Sequence, residues 1–552
     1  MNVGEMQRKL NLKAVDDSNH RFDDLYSLLY AEGWLENAYD HIRRNRGSRT
    51  AGADGVTKGN FEEARDQNLA HLKKELQSRT FEPLPSRRVY IREIKAGGRI
   101  KIRPIGIPAL RDRIVQQAVR MVLEPIWEAD FSPCSHGFRP YRSTQTLLAA
   151  LGRHLMGTPG QCYQWIIEGD ISSYFDSIPH RKLIKSVKKR VKDDQMLSLL
   201  WAFLKSGIME EGEIRNSMSG TPQGGIVSPL LSNIYLHSLD RYMEENYLSL
   251  SKHYRTQRRR QGLSNFLYLR YADDFIVLCN GTKKQAEAMK EELSIFLHEE
   301  LKLTLSMEKT KITHITDGFD FVGYPLSRST GRSGNMVPRI KIPRQAVDKL
   351  KGKLKSVLNP RRTNASVRAK ILAVNRIVRG WCHYYKYSSA PSQVFGRMEY
   401  ELFWLMAQWL GRKYKISIPR VMKRFHPGNS FWMGRYRLVM PSEIKAVRPN
   451  GRTPTRPYQT VDRDITYEDI FEIKDVWEGQ DRREGSLDLR ALVIERDGSI
   501  CALCGLDTTE WECQVDHIVR RSMFKRPRDA DALDNLQVLC TPCHRKKTTK
   551  GL

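Results

Sequence analysis

Two short apolar runs separated by an acidic turn constrain the fold of this chain more than any other feature. Residues 267–271 and 275–278 are rich in branched and aromatic side chains, which favours two β-strands. Ala272, Asp273 and Asp274 lie between them, so the pattern predicts a β-hairpin with two carboxylates at its tip. Aspartate is also common in tight turns for conformational reasons alone. By itself, therefore, this tip is as consistent with an ordinary turn as with a functional site.

A third aspartate strengthens the functional interpretation. Residues 165–167 form another apolar, strand-like run, which ends at Asp170 and is followed by a turn over 171–176. Acids on separate strand ends can share two divalent ions about 3.5–4 Å apart, the arrangement used in two-metal phosphoryl transfer. One ion lowers the pKa of a primer 3′-hydroxyl, and the other steadies the triphosphate and the leaving pyrophosphate. We therefore predict a nucleic-acid polymerase with Asp170 and Asp273 as its principal Mg²⁺ ligands and Asp274 in support.

The net charge agrees with a polyanionic partner. Lys and Arg total 92 and Asp and Glu total 63, giving a net charge of +29, which suits nucleic acid or an acidic membrane. No segment approaches the ~18 apolar residues of a membrane span, and residues 1–16 lack the apolar core of a signal peptide. The nine cysteines are an odd number, which fits poorly with a secreted disulfide scaffold. We expect no membrane partner and a cytoplasmic location, in a bacterial cell or at its nucleoid, with an organelle as the alternative.

Composition divides the chain into five segments. Residues 1–80 have a helical pattern, and 81–330 mix short strands with helices. Residues 331–430 are again helical and very basic, which suits phosphate binding. Residues 431–484 contain several prolines and arginines, which indicates a linker or a loosely ordered DNA-binding segment. Residues 485–552 carry two cysteine pairs and are predicted to form a separate small domain.

Taken in order, the motifs of this chain resemble those of reverse transcriptases, and most closely the group II intron-encoded reverse transcriptase/maturase family. The matching segments are 52–57, 103–108, 112–116, 135–140, 170–180, 220–233, 271–274, 308–311, 321–324, 379–381 and 384–385. The resemblance implies an α+β multidomain chain with a right-hand polymerase fold of fingers, palm and helical thumb. Residues 1–80 would then be an N-terminal extension with the start of the fingers, 81–330 the fingers and palm, and 331–430 the thumb or maturase domain.

The same resemblance implies roles for individual residues. Phe175 matches the aromatic residue that blocks a ribose 2′-hydroxyl and so selects deoxynucleotides. Lys95 and Arg103 match cations that hold the incoming triphosphate. Gln223 matches a residue that lines the nucleotide and template site. Lys309 would neutralise or protonate the leaving pyrophosphate, with a solvated surface lysine as the alternative. The resemblance also implies that Ile171, next to Asp170, takes part in binding both metal and nucleotide.

The cysteine pairs predict a metal site in the last segment. Cys501 and Cys504 form one Cys-x-x-Cys pair, and Cys540 and Cys543 form another after 35 intervening residues. Four thiolates from two such pairs suit tetrahedral Zn²⁺, and a site with four protein ligands is closed and structural.

Between and beside these pairs lie residues that resemble the HNH nuclease family in its zinc-stabilised ββα-metal form. His517 would be the general base that deprotonates water, since the pKa of histidine lies near neutrality. Asp516 and His544 would ligate one Mg²⁺ at the scissile phosphate. Asn535 resembles the residue that braces the catalytic loop.

Together these resemblances imply an intron-mobility enzyme. The nuclease would nick target double-stranded DNA, and the new 3′-hydroxyl would prime copying of the intron RNA from dNTPs. The basic thumb would bind the intron RNA and assist its splicing. One alternative is an RNA-dependent RNA polymerase, against which Phe175 and Ala272 argue. The other is a non-enzymatic maturase, against which the intact Asp170, Asp273 and Asp274 argue.

Overall fold

The computed structural model describes residues 2–94, 100–156, 162–210, 213–215, 220, 224–331, 334–361 and 363–447, together with 458, 493, 501–504, 513–519, 523, 532–540, 543–544 and 547. The chain divides into two compact units, Met1–Asp464 and Ile465–Leu552. Within the described ranges, every helix is too short or too polar to span a lipid bilayer.

The larger unit begins with helices, as the sequence predicts. They are α1 (Val3–Asp16), α2 (Trp34–Arg44), α3 (Lys58–Glu63) and α4 (Arg65–Gln77). Leu29 and Trp34 from this part are almost completely buried. The long helix α5 (Leu110–Asp130) is apolar along most of its length and packs against α1 and α2. This helical layer therefore has its own hydrophobic core.

The first sheet of this unit is mixed. It contains β1 (Ser86–Ile94), β2 (Ile100–Ile107), β4 (Ile208–Glu210) and β5 (Glu213–Arg215), in the order β2-β1-β4-β5. β1 and β2 are antiparallel, and Arg103 pairs with Ile91. β1 and β4 are parallel, which joins two distant parts of the sequence in one sheet.

The second sheet is antiparallel and lies at the centre of the unit. Its strands β3 (Trp165–Gly169), β6 (Phe266–Tyr271), β7 (Asp274–Cys279) and β8 (Lys311–His314) are arranged in the order β6-β7-β3-β8. The apolar run of β7 is buried from Phe275 to Cys279, so both faces of this strand are covered. Both the predicted hairpin and the predicted strand before Asp170 are confirmed.

Helices surround this sheet. They are α6 (Thr144–Leu155), α7 (Tyr174–Ser177), α8 (His180–Val187), α9 (Asp194–Lys205), α10 (Ser228–Met243), α11 (Lys252–Arg260) and α12 (Lys283–Leu301). α6 packs against β6 and α12 against β3, while the Tyr235 hydroxyl on α10 donates to the Leu301 carbonyl at the end of α12.

The basic part of the larger unit is mainly helical, as predicted. A small antiparallel sheet of β9 (Phe319–Phe321), β10 (Tyr324–Thr330) and β11 (Met336–Ile340) precedes it. The helices are α13 (Arg344–Val357), α14 (Val367–Tyr385), α15 (Pro391–Tyr414) and α16 (Ile418–Phe425), followed by the short strands β12 (Trp432–Met433) and β13 (Tyr436–Arg437). Leu350 and Leu354 lie one turn apart on α13, and both are buried. They form an apolar stripe that faces the interior of this helical part of the unit.

The described part of the smaller unit contains an antiparallel strand pair. β14 (Cys513–His517) pairs with β15 (Leu536–Cys540). A small apolar cluster consists of Val493, Leu536 and Val538, with Val515 packed against it. The larger unit combines α-helices with β-sheets, which agrees with the α+β class predicted from the sequence.

Candidate functional site

The acidic residues of the central sheet meet at one end. Ala272 and Asp273 form the tight turn between β6 and β7, and Tyr271 pairs with Asp274 across it. β3 lies on the other side of β7, where Gly169 pairs with Phe275. One further step in this antiparallel register sets Asp170 beside Asp274. Pairing of distant strands thus brings all three predicted acids to the same sheet end.

These acids crowd one another. Partial burial, and then the negative charges of Asp273 and Asp170, raise the pKa of the Asp274 carboxyl to about 6, while Lys309 acts in the opposite direction. Lys309 Nζ lies 2.7 Å from Asp170 Oδ2. Carboxylates that repel one another in this way are suited to binding divalent cations, which relieve the repulsion.

Gly169 allows β3 and β7 to pack closely at the end of the sheet that carries the acids. A Cβ atom at this position would lie 2.2 Å from the Phe275 ring, so any side chain would push the ring or the strand aside. Phe275 is itself almost fully buried and has little room to move. The sequence analysis did not identify this role for Gly169.

A loop from a distant part of the sequence supports the hairpin. The backbone N–H of His136 donates to the Arg270 carbonyl, and the Arg270 N–H donates to the Cys134 carbonyl, both at 2.9 Å. A Cβ atom on Gly137 would lie 2.3 Å from the backbone nitrogen of Ala272. The loop therefore lies directly against the acidic turn, and only glycine fits at position 137.

Buried polar groups also hold this turn in place. The Arg270 guanidinium donates to Asp240 Oδ1 at 2.7 Å, to Asn233 Oδ1 at 2.9 Å and to the Ala272 carbonyl at 2.7 Å. Burial alone would lower the pKa of Arg270, but the Asp240 carboxylate outweighs it and raises the pKa. Sequence reasoning missed this network, although an arginine within an otherwise apolar strand was a visible signal of a buried partner.

Two residues implied in nucleotide binding, Ile171 and Phe175, lie within five residues of Asp170 in the chain. Ile171 is buried and forms a β-bridge with Leu305, and the carbonyl of Asp170 accepts from the Ser306 N–H at 2.8 Å. Phe175 is half-buried in the first turn of α7, with its ring 5.4 Å from that of Tyr174. These contacts hold the segment that follows Asp170 in a position close to the acids.

The other implied nucleotide-binding residues are only partly described. Lys95 and Gln223 lie outside the described residues, and of Arg103 only the backbone is described, on β2. Gly224, next to Gln223, has φ +121°, and a Cβ atom there would lie 2.2 Å from the Gly106 carbonyl oxygen. The chain before α10 therefore approaches the strand that carries Arg103.

The four cysteines of the smaller unit form a cluster. Their sulfur atoms all lie within 4.8 Å of one another, and those of Cys504 and Cys540 are 3.7 Å apart. Four Zn–S bonds of about 2.3 Å in a tetrahedron would set the sulfurs about 3.8 Å apart. The predicted clustering is confirmed, and its geometry fits a tetrahedral metal ion.

The thiols of this cluster have divergent acidities. Burial opposes ionisation of Cys501, but nearby backbone N–H groups outweigh it and lower the pKa of this thiol to about 6. The neighbouring sulfurs, Cys540 first, raise the pKa of Cys543 to about 12. Four adjacent thiolates therefore need a cation to be stable together at neutral pH.

Three of the predicted nuclease residues, Asp516, His517 and Asn535, lie at or next to the end of β14. Asp516 and His517 are its last two residues, and Lys547 Nζ lies 2.9 Å from Asp516 Oδ2 and donates to the His517 carbonyl. The Asn535 amide accepts from the Val519 N–H at 2.8 Å and donates to the Val519 carbonyl at 3.1 Å. His544 follows the last cysteine. The sequence analysis did not identify Lys547.

Three family models match the chain in order. Residues 94–326 match the reverse transcriptase (RNA-dependent DNA polymerase) model, 347–425 the group II intron maturase-specific domain, and 501–550 the HNH endonuclease. Group II intron-encoded protein LtrA of Lactococcus lactis subsp. cremoris is 29% identical, over 97% of each chain. Protein YkfC of Escherichia coli is 41% identical, over 65% of this chain and 97% of its own. The chain belongs to the group II intron-encoded protein family.

A more distant relative is nuclear intron maturase 1 of Arabidopsis thaliana, at 25% identity over 42% of this chain and 44% of its own.

Because the chain matches all three family models, this group II intron-encoded protein combines reverse transcriptase, maturase and endonuclease functions, as the sequence predicted. Its domains imply nucleic-acid substrates and binding to intron RNA, and domains of the polymerase and nuclease types use divalent metal ions.

Proposed function

We propose that Asp170, Asp273 and Asp274 form the polymerase site of the protein and hold two Mg²⁺ ions. The observation that carries this proposal is the register of β3 and β7, which sets Asp170 beside Asp274 and next to the acidic turn. The bound ions would activate the primer 3′-hydroxyl and stabilise the pyrophosphate as it leaves. The backbone at Ile171 lies next in the chain and would complete the metal and nucleotide site.

Lys309 has two partners in this scheme. Its ammonium group pairs with Asp170 across 2.7 Å. When Asp170 binds metal, the ammonium group would be released toward the triphosphate, where it would neutralise or protonate the leaving pyrophosphate. Lys309 is more than half exposed, so this movement requires no rearrangement of the core.

We assign nucleotide binding to four further residues. Phe175 would exclude a ribose 2′-hydroxyl and so favour dNTPs. Lys95 and Arg103 would hold the triphosphate, and Gln223 would line the nucleotide and template site. The close approach of Gly224 to β2 supports a shared site for the segments that carry Gln223 and Arg103.

These roles correspond to a right-hand polymerase fold. We assign residues 1–80 to the N-terminal extension and the start of the fingers, 81–330 to the fingers and palm, and 331–430 to the thumb. Residues 431–484 would be a DNA-binding segment or linker, and 485–552 the HNH domain. The central antiparallel sheet with its acidic end supports the assignment of the palm.

In the HNH domain, Cys501, Cys504, Cys540 and Cys543 would hold a structural Zn²⁺. His517 would act as general base toward water, and Asp516 and His544 would bind one Mg²⁺ at the scissile phosphate. The two hydrogen bonds between Asn535 and Val519 support a bracing role for Asn535, because they tie down the segment that follows His517. Lys547 would neutralise Asp516 in the absence of metal.

The two activities would act in sequence. The nuclease would nick target double-stranded DNA, and the polymerase would extend the new 3′-hydroxyl along the intron RNA. The protein would remain bound to this RNA after assisting its splicing, as a ribonucleoprotein in the cytoplasm. Target-primed reverse transcription and intron mobility follow from this order of steps.

Asp273→Asn tests the polymerase site. Extension of a DNA primer on an RNA template should fall about 1,000-fold or more, because loss of a metal ligand removes several kcal/mol of transition-state stabilisation. The exposed Asp317→Asn is a matched control and should retain activity. Unchanged extension by Asp273→Asn would refute the assignment, and equal use of ribonucleotides by the unaltered chain would favour an RNA polymerase.

His517→Ala tests the nuclease site. Nicking of double-stranded target DNA should be abolished, because no other group is assigned to deprotonate the attacking water. Extension from a supplied primer should be retained, since the polymerase residues belong to the larger unit. Persistent nicking would show that the base lies elsewhere.

A further inference from the structure

Helix α15, in the maturase-specific domain, carries two unusually exposed aromatic side chains. Tyr400 is 67% exposed and Trp404 is 39% exposed. They are four residues apart, so they lie one turn apart on the same face of the helix. The opposite face is fully buried through Phe395, Met398 and Leu402. Packing of the helix against the domain therefore does not require either ring.

Neighbouring rings hold the Trp404 side chain in place. The Phe403 ring meets that of Trp404 edge-on at 5.4 Å, and it packs at the same distance against Phe431, which is fully buried. The Tyr400 ring lies 6.3 Å from that of Trp404 at 71°. Because these rings are already positioned, a ligand that stacks on them would lose little entropy in ordering them.

The charges around these rings favour an anion. Arg397, Gln408 and Arg412 continue the exposed row at helical spacing, so an arginine lies at each end. The acids of α15 are both engaged elsewhere. Glu399 accepts from the Ser442 N–H at 3.0 Å, and Glu401 pairs with Lys351 at 2.8 Å.

We propose that Arg397, Tyr400, Trp404, Gln408 and Arg412 form a stacking face that binds unpaired bases of single-stranded RNA. Aromatic rings flanked by arginines suit this ligand, because every base offers a flat face and every nucleotide a phosphate. A double helix has its base faces covered and cannot use the rings. The inference rests on the proposed binding of intron RNA and specifies where unpaired segments are held.

The test uses the full chain with its polymerase cleft saturated by a primer–template duplex. Binding of a labelled oligouridine of about 12 nucleotides is compared with binding of an abasic strand of equal length and charge. Tyr400→Ala with Trp404→Ala should weaken oligouridine binding about 25-fold, from about fivefold for each stacked ring. Binding of the abasic strand should change less than about twofold, and Tyr400→Phe with Trp404→Phe should restore most of the affinity for oligouridine.

Leu372→Ala removes an apolar side chain of similar exposure from α14 and is the matched control. Three outcomes would overturn the proposal: no loss in the double alanine variant, an equal loss for the abasic strand, or a self-associated chain that the double variant converts to monomer. The last outcome would show that the face covers a second copy of the chain. Failure of the unaltered chain to extend a primer or bind any RNA would instead count against the proposed function.

Discussion

At the residue scale, Asp274 lies among like charges in the proposed polymerase site. Its pKa of about 6 lies above the ordinary aspartate value of 3.8, owing to partial burial and then to the charges of Asp273 and Asp170. A raised pKa means that the folded state holds this proton more tightly than the unfolded state. Ionised Asp274 therefore destabilises the folded protein, and this cost develops as the pH rises from about 4 to about 6.

We therefore predict that Asp274→Asn stabilises the metal-free protein above pH 6 and has no effect below pH 4, where the carboxyl is protonated in both states. The gain should be about 1 kcal/mol or less, because much of the side chain still contacts solvent, which screens the repulsion. Thermal unfolding with a chelator at pH 3.5 and pH 8 measures it. Added Mg²⁺ should favour the unaltered chain instead, and a lower melting temperature for Asp274→Asn at pH 8 with chelator would contradict the prediction.

At the scale of elements, the acidic hairpin depends on a loop far away in the sequence. Gly137 packs against the backbone of Ala272, and backbone hydrogen bonds from His136 and to Cys134 join the same loop to Arg270 on β6. The buried Arg270–Asp240 ion pair adds a further constraint. The positions of the carboxylates are therefore set by backbone packing rather than by the turn residues alone.

Gly137→Ala should displace the acidic turn, because its Cβ atom would lie 2.3 Å from a backbone nitrogen. We expect a loss of about 1–3 kcal/mol in the free energy of unfolding and a fall in primer extension on the order of 100-fold.

The matched control is Gly152→Ala on α6, where no atom lies within 4 Å of the new Cβ. It should stabilise the helix by about 0.5–1 kcal/mol and leave extension unchanged. Chemical denaturation of both variants measures the change in stability, and primer extension measures the change in activity. Full activity in Gly137→Ala would show that the turn keeps its position without this contact.

At the scale of the whole molecule, the two units are stabilised by different means. The larger unit has extensive buried cores around α5 and the central sheet. The described core of the smaller unit consists of small clusters, one of them built on Cys501 and Cys540 with Leu539. A metal ion held by the four thiols would contribute much of the stability of these clusters.

Removal of the proposed zinc ion should therefore unfold the smaller unit alone. Cys504→Ser changes an exposed member of the cluster, so it removes a ligand with little loss of packing. We expect loss of bound zinc, loss of DNA nicking and rapid proteolysis within residues 465–552, while primer extension persists. Metal analysis, limited proteolysis and the two activity assays measure these effects. Retained nicking in a zinc-free protein would refute a structural role for the metal.

Sequence alone determined the elements that depend on local patterns. The apolar runs on either side of 272–274 predicted the hairpin, and the spacing of Cys501, Cys504, Cys540 and Cys543 predicted a cluster of four thiols that could hold a metal ion. Both succeed because residue type and short spacing carry the relevant physics. The ordered motifs also identified the family, since many weak signals in one order are specific in combination.

Tertiary structure alone decided how these elements are held together. The need for glycine at 137 and 169, the partners of Arg270 and the exposure of Trp404 all arise from residues distant in sequence. A local pattern cannot report such contacts, because the same glycine or arginine is equally compatible with an open turn or a solvated surface. Only the packing of β3 against β7, and of the loop against the acidic turn, brings the three carboxylates together.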